Sequence, residues 1–213
     1  PIVSADDSVI FSTGQGPGRT MTLRLDPDWL YETSQSCNFS EGLSEWSVFG
    51  TRGVKLLPHP DRRGAQALRI CKQVPGATAA AVWNFPAGRS GSIAMRVRAN
   101  MGVGNFRISL SDHFSTPFDA QDEFHSTFNL DIAAGGGISS LGGLEQDAWH
   151  DMEMIWDTVN ERQCIVRVDG HIVATLAQLH STDGVNYLRV VSTADSGDAA
   201  GFWLAAVAAD VQP

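Results

Sequence analysis

Apolar and polar residues alternate through the second half of the chain with the period of two that β-strands require. The alternation predicts four strands, which are Trp149–Asp157, Cys164–Val168, Ile172–Leu176 and Tyr187–Ser192. Asp169-Gly170, between the second and third strands, is a strong hairpin signal because the favoured two-residue turns require positive φ angles. No helical periodicity interrupts these strands, so the segment predicts an antiparallel meander.

Three segments in the middle of the chain also alternate, and each leaves polar side chains on the face opposite its apolar ones. The segments are Ile93–Arg98, Asn105–Ser111 and Glu123–Ile132. If these strands are neighbours in one sheet, their polar side chains form a single patch. We predict this patch as the ligand-binding surface, and its residues are Arg96, Arg98, Arg107, Ser109, Ser111, His125, Asn129 and Asp131.

The composition also favours an all-β chain. The 213 residues are 43% hydrophobic and include 21 Gly and 9 Pro, which suits many short strands joined by turns. We expect residues 19–213 to form one two-sheet antiparallel β-sandwich, with Thr20–Leu25 as its first strand. The Gly-rich residues 1–18 are expected to form an N-terminal arm or the remnant of a linker. No apolar run approaches the ~20 residues that a membrane span requires.

The net charge and the cysteines narrow the choice of partner. A formal net charge of −9 disfavours nucleic acid, because phosphate binding draws on clustered Lys and Arg. Cys37, Cys71 and Cys164 lack the spacing of a zinc site. Two alternatives stay open for them: a Cys37–Cys71 disulfide in an exported protein, or three buried free thiols.

The meander and the two ends of the predicted sandwich carry a family resemblance. A strand that ends in Trp156-Asp157 precedes a Val168-Asp169-Gly170 hairpin, and this order resembles the concanavalin A-like lectin/glucanase group. Glu41-Gly42, with Trp46 after it, resembles the opening of carbohydrate-associated β-sandwiches, and Gly201–Val207 resembles their closing strand. The resemblance implies that the two sheets form a jelly roll.

The C-terminal region makes the resemblance more specific. Asn186–Arg189, followed by Asp195, Asp198 and Gly201-Phe202, is similar to the C-terminal jelly-roll modules of sialidase-like enzymes. The resemblance implies a carbohydrate-binding or ancillary module with a glycan as its partner and an adjoining catalytic domain. It also implies that the protein is secreted, periplasmic or on the cell surface.

The same resemblance implies where a metal would lie. Carbohydrate-associated sandwiches often hold one Ca²⁺ where the first and last strands meet, through carboxylates and carbonyl oxygens. Glu41 matches the opening part of that pattern, whereas Ala205-Ala206 stand where such modules carry Asp. Asp195 and Asp198 form an alternative site, and no other cofactor is expected.

Two kinds of enzyme are alternatives to the binding module, which is the preferred interpretation. A glycoside hydrolase needs two carboxyl groups about 5–9.5 Å apart. Asp151 and Glu153 share a strand face, but we interpret that face as a solvated outer surface. A polysaccharide lyase acting on an anionic glycan needs a base and groups that neutralise the uronate, roles that His125, Arg107 and Asn129 would supply. A third alternative uses the same patch only to pack against a neighbouring domain.

The tryptophans are interpreted mainly as core residues. Five of them fall within apolar alternation, which predicts core packing. These five are Trp46, Trp83, Trp149, Trp156 and Trp203. Trp29 lies beside a turn and, with Tyr31, is predicted as a sugar platform or a wedge against a neighbouring domain.

Overall fold

The computed structural model describes residues 2–3, 9–13, 21–25, 31–50, 52–114 and 126–212. Trp29 and His125 lie outside these ranges, so their predicted roles stay predictions. The chain divides into two compact units, Pro1–Thr33 and Ser34–Pro213, and each is described by itself. No helix in the described part of the chain is long and apolar enough to cross a lipid bilayer.

The first unit contains a three-stranded antiparallel sheet. Its strands are β1 (Ile2–Val3), β2 (Val9–Thr13) and β3 (Met21–Leu25). β2 lies in the middle, and its Ile10 is opposite Ile2 on one side and Arg24 on the other. β3 contains most of the predicted strand Thr20–Leu25 and pairs with β2 of the same unit.

The second unit is built from β-strands, fifteen of which lie in its described part. They are β4 (Ser34–Cys37), β5 (Trp46–Phe49), β6 (Val54–Pro58), β7 (Gln66–Lys72), β8 (Ala80–Gly88), β9 (Ser90–Ala99), β10 (Phe106–Ser111), β11 (Ser126–Ile132), β12 (Gly137–Ser139), β13 (Gly142–Gly143), β14 (Trp149–Asp157), β15 (Gln163–Val168), β16 (His171–Ala177), β17 (Val185–Ser192) and β18 (Asp198–Gln212). A five-stranded sheet has the order β11-β10-β17-β8-β5. An eight-stranded sheet has the order β16-β15-β14-β9-β18-β7-β6, and β4 also pairs with β18. β12 and β13 form a separate two-stranded sheet.

These two large sheets form the predicted all-β fold, a two-sheet antiparallel β-sandwich with jelly-roll architecture. β14, β15 and β16 are consecutive neighbours, as the meander predicts. The prediction that Tyr187–Ser192 extends the meander was wrong, because β17 lies between β10 and β8 in the other sheet. Leu188 to Ser192 are all buried, which fits a strand covered on both faces rather than one at the edge of a sheet.

Alternation decides which side chains fill the space between the sheets. On β14, Met152, Met154 and Trp156 are at most 2% exposed, while the residues between them point outward. Phe106 of the five-stranded sheet stacks on Phe202 of the eight-stranded sheet with 4.1 Å between the ring centroids. Each such buried side chain stabilises the fold by roughly 1.5–3 kcal/mol. The polar residues of the same strands are consequently left on the outer faces.

All three cysteines are free and buried. The free-thiol alternative is therefore correct, and Cys37 and Cys71 form no disulfide. Trp46 donates its indole N–H to Sγ of Cys37 at 3.3 Å. Burial raises the pKa of the Cys164 thiol to about 12. This cysteine is therefore an inert core residue, since the thiolate is the reactive form.

Replacing Gly201 by Ala tests the tight approach of β18 to β7. Gly201 has a φ of 60°, and an added Cβ would lie 2.2 Å from the carbonyl oxygen of Ile70. We expect Gly201→Ala to lower the free energy of unfolding by about 2–4 kcal/mol, because backbone strain and overpacking both destabilise the folded variant. Urea denaturation measures the change. Gly170→Ala is the matched control, because its φ is 81° but no atom lies within 4 Å of the added Cβ. Equal losses in the two variants would contradict the steric argument.

Candidate functional site

A shallow groove runs along the outer face of the eight-stranded sheet, where two neighbouring strands carry small side chains. Ala94 of β9 lies opposite Ala208 of β18, and both are exposed. Glu153 of β14 lies beside Ala94, and Arg167 of β15 lies beside Glu153. Methyl groups next to longer side chains leave a depression, so the register of these strands forms the floor of the groove.

The groove consists of three adjoining cavities of similar size. The central cavity has a volume of about 550 Å³ and is lined by Ala94 and Ala208. A second cavity of about 540 Å³, the basic pocket, shares Arg62 and Arg96 with the central cavity. A third of about 540 Å³, the acidic pocket, shares Glu153 with it. The three cavities together are long enough for an extended ligand.

Positively and negatively charged side chains line opposite ends of the groove. Among the described residues, Arg62 and Arg96 are the only charged side chains that line the basic pocket. The acidic pocket is lined by four carboxylates, which are Glu153, Asp157, Glu161 and Asp210. The groove therefore changes sign along its length.

Most arginines of this face already have a carboxylate partner. The pairs are Arg96–Asp151 at 3.7 Å, Arg98–Asp61 at 3.0 Å and Arg167–Glu153 at 3.2 Å. For the guanidinium group of Arg62, which is exposed, no ion pair or hydrogen bond is found within the described part of the chain. Nε of Arg96 also lacks a hydrogen-bond partner among the described residues, although Asp151 lies 3.7 Å away. Both guanidinium groups therefore have donors that remain open to a ligand.

His59 lines the basic pocket as a neutral ring. Its Nδ1 accepts a hydrogen bond from the backbone N–H of Asp61 at 3.0 Å, so the proton of the imidazole lies on Nε2. Nε2 is buried and has no hydrogen-bond partner among the described residues. Burial and then the charge of Arg62 lower the pKa of His59. His59 is therefore uncharged at neutral pH and leaves the positive charge of the pocket to the arginines.

Trp149 fixes the connection between β6 and β7, which carries these residues. The Trp149 ring stacks on His59 with 4.6 Å between the ring centroids. Its indole N–H also donates to Oδ2 of Asp61 at 2.7 Å. Arg98 donates to the same carboxylate oxygen at 3.0 Å. The connection is thereby held against the end of β14, next to the basic pocket.

Core packing was predicted for most of the five tryptophans, and the structure confirms it for three of them. Trp149 and Trp203 are only partly buried and lie on either side of Arg98 on the outer face. The other three, Trp46, Trp83 and Trp156, are buried as predicted. The alternation contained the signal for Trp149, since this residue has the same parity as the outward-facing Asp151.

The predicted ligand-binding patch is divided between the two sheets. Arg96 and Arg98 lie on β9 of the eight-stranded sheet. The other described members lie on β10 and β11 of the five-stranded sheet, and they are Arg107, Ser109, Ser111, Asn129 and Asp131. The condition that these strands are neighbours holds only for β10 and β11, which pair with each other, because β9 pairs with β14 and β18 in the other sheet. His125 lies outside the described residues.

On the five-stranded sheet, members of the predicted patch bind each other across β10 and β11. Arg107 donates to both carboxylate oxygens of Asp131, at 2.6 and 3.1 Å. The hydroxyl of Ser109, which is fully buried, donates to Oδ1 of Asn129 at 2.7 Å. Two of the three groups predicted for a lyase, Arg107 and Asn129, are therefore engaged in these cross-strand pairs.

The predicted calcium ligands differ in their exposure. Glu41 and Asp195 are exposed, whereas Asp198 is buried. Lys72, which is opposite Asp198 in the strand pairing, donates its ammonium group to the carbonyl oxygen of Ala194 at 2.5 Å. Within the described ranges, no three His, Cys, Asp or Glu side chains form a group that could hold a metal.

Sequence reasoning missed His59 and Arg62, which complete the basic pocket. Both lie in the connection between β6 and β7, where no periodic pattern marks a functional residue. The basic composition of Arg62-Arg63 was the available signal, but it also describes an ordinary solvated turn. Only the packing of this connection against Trp149 gives the arginine its position.

Comparisons with known proteins agree with the fold. Neither a known protein family nor a curated protein matches the sequence. A solved sialidase structure is similar over 98% of this chain and 21% of that chain, with a TM-score of 0.65 and 14% identity. This chain thus spans about a fifth of that sialidase.

Two shorter solved proteins are similar over most of their own length. An endo-β-1,4-glucuronan lyase from the fungus Trichoderma reesei is similar over 84% of this chain and 94% of that chain, with a TM-score of 0.59 and 13% identity. The carbohydrate recognition domain of Emp47p is similar over 85% and 96%, with a TM-score of 0.54 and 9% identity. These likenesses confirm the concanavalin A-like β-sandwich fold.

The pKa of His59 predicts a pH dependence of stability. Because its pKa is lowered from 6.5 in the folded chain, the unfolded chain binds more protons at mildly acidic pH. The contribution of neutral His59 to the unfolding free energy is fully present above pH 6.5, and it is lost as the pH falls toward the folded-state pKa. We expect His59→Gln to reduce this dependence of the unfolding free energy, measured by urea denaturation across that range. The exposed His171→Gln is the control, and equal pH profiles for both variants would contradict the assignment.

Proposed function

We propose that this chain is a carbohydrate-binding β-sandwich module that holds an anionic glycan in the groove of the eight-stranded sheet. The observation that carries the proposal is the basic pocket, in which the exposed Arg62 has no partner among the described residues. A guanidinium group binds carboxylate or sulfate through two parallel hydrogen bonds. The chain has a net charge of −9, so its surface is not generally basic. A positively charged pocket in such a chain favours a specific anionic ligand.

The remaining lining of the groove suits sugar rings. Asn38, Ser40 and Gln66 line the basic pocket and offer donors and acceptors for hydroxyl groups. Ile155 and Ile165 lie side by side in the acidic pocket and provide an apolar surface for the C–H face of a pyranose. A concave surface that combines apolar side chains with hydrogen-bonding groups is typical of ligand sites.

The geometry of His59 favours binding over lyase chemistry. A lyase base must accept a proton from the sugar, and both ring nitrogens of His59 are unsuited to this. Nδ1 already accepts the N–H of Asp61, while Nε2 carries the proton and is buried. Asp151 and Glu153, the carboxylates that share a strand face, are each engaged by an arginine. These contacts support a module that binds its ligand without turnover.

The partial coverage of the sialidase supports a role beside a catalytic domain. Since the chain spans 21% of that sialidase, we extend the proposal to an ancillary module of a larger glycan-processing protein. In that role the groove keeps the enzyme near its substrate. Such a protein acts where polymeric glycans occur, so a secreted, periplasmic or cell-surface location belongs to the same proposal.

Two neighbouring arginines provide a matched test of the binding site. Arg62 lines the basic pocket, whereas Arg63, the next residue, lines none of the three cavities and is also exposed. We expect Arg62→Ala to weaken binding of uronic-acid oligosaccharides about tenfold, since a charge-assisted hydrogen bond contributes about 1.5 kcal/mol or more. We expect Arg63→Ala and Arg107→Ala to bind like the unchanged chain. Isothermal titration calorimetry measures the three affinities.

The same three variants and the unchanged chain also distinguish a binding module from a lyase and from a general charge effect. A rise in absorbance from unsaturated sugar products would identify a lyase and overturn the binding module. Equal loss of affinity in Arg62→Ala and Arg63→Ala would show that only general charge matters. Absence of binding to every anionic glycan tested would overturn the proposal.

A further inference from the structure

The groove is basic at one end and acidic at the other, and this asymmetry limits the charge of a ligand that fills it. At the basic end, Arg62 and Arg96 are the only charged lining residues among those described. At the acidic end, Glu153, Asp157, Glu161 and Asp210 line the pocket without a described Lys or Arg. A ligand that spans the groove therefore meets opposite potentials at its two ends.

Strand geometry gives the distance between the ends. On β9, Arg96 lies in the basic pocket and Ser90 in the acidic pocket, six residues away. A strand rises about 3.3 Å per residue, so these positions are about 20 Å apart. This exceeds the Debye length of about 10 Å at 0.1 M ionic strength. Each end therefore acts mainly on the part of the ligand that it touches.

The acidic end surrounds β9 from both neighbouring strands. Asp210 of β18 is opposite Ser92, and Asp157 of β14 is opposite Ser90. Because the side chains of Ser90 and Ser92 are short, a sugar unit over them lies close to carboxylates on both sides. A second carboxylate on the ligand at this position would be repelled.

The centre of the groove contributes little net charge. Arg96 is 3.7 Å from Asp151, and Arg167 is 3.2 Å from Glu153. These pairs cancel, which leaves Arg62 as the excess cation of the central cavity. The floor between them is formed by Ala94 and Ala208, which favour uncharged sugar rings.

The basic end also contains a second feature that points to a ligand. His59 is 7% exposed, lines the basic pocket, and has an Nε2–H group without a partner in the described residues. A buried N–H donor without a partner costs free energy unless water or another molecule satisfies it. A carboxylate held by Arg62 is the complementary acceptor for this donor.

We propose that the groove selects a glycan that carries one carboxylate on the sugar at the basic end and neutral sugars along the rest of its length. Arg62 binds the carboxylate, uncharged rings follow the alanine floor, and the acidic pocket rejects polymers with a carboxylate on every unit. This inference rests on the proposed function and adds the charge pattern and the orientation of the ligand.

Three oligosaccharides of equal length test the charge pattern at 0.1 M ionic strength, where the two ends act separately. The first is a xylo-oligosaccharide with one terminal glucuronic acid, the second is the same oligosaccharide without the acid, and the third is an oligogalacturonate. We expect the singly charged probe to bind at least about threefold more tightly than either of the others. A difference of this size is what one charge–charge contact in a solvated groove contributes. Isothermal titration calorimetry gives the affinities.

Neutralising the acidic pocket tests the same idea from the protein side. We expect Asp210→Asn with Glu161→Gln to tighten oligogalacturonate binding by at least about threefold at 0.1 M ionic strength and to leave binding of the singly charged probe unchanged. The matched control, Asp195→Asn with Glu145→Gln, removes the same charge at exposed residues outside the groove. Circular dichroism verifies that both double variants fold.

The outcomes separate this inference from the proposed function. Oligogalacturonate that binds the unchanged chain as tightly as the singly charged probe overturns the inference and leaves the anionic-glycan module standing. An equal gain in both double variants also overturns it, because the effect would then come from net charge. No binding of any of the three probes overturns both.

Discussion

The pairing of β9 with β18 is the interaction on which both the fold and the groove depend. β18 is fifteen residues long and also pairs with β7 and β4, so it joins the two halves of the eight-stranded sheet. A register shift between Leu204 and Ala206 reverses the parity of the strand. Because of this bulge, Val207 faces the core while Ala206 and Ala208 face outward. Without the shift, larger side chains would occupy the floor of the groove.

The electrostatics of the outer face follow from the same register. β14 places Asp151 opposite Arg96, and β15 places Arg167 opposite Glu153, so the strand pairing itself neutralises most of the arginines. Arg62 lies in a connection rather than on a strand, and this position leaves it without a facing carboxylate among the described residues. The arrangement suits the reversible binding of an anion, and the fixed tautomer of His59 argues against proton transfer at the same place.

The two sheets serve different purposes. Polar side chains of β10 and β11 satisfy each other, as in the Arg107–Asp131 and Ser109–Asn129 pairs, and Ser109 and Ser111 are buried. Donors and acceptors that are already paired offer little to a ligand. The eight-stranded sheet instead combines a depression with guanidinium groups that have open donors. The cross-strand pairs thus lie on one sheet and the candidate site on the other.

The sequence by itself determined the strands and the direction of their side chains, because an alternation of period two is a local property. Trp149–Asp157 has the bounds that the pattern predicts, and Arg96 was recognised as an outward-facing residue. Only the tertiary structure decided which strands are neighbours, which divided the predicted patch and moved β17 to the other sheet. It also brought His59 and Arg62 to the groove. Strand pairing and loop packing depend on contacts between residues far apart in the chain, and a local pattern contains no information about its distant partner.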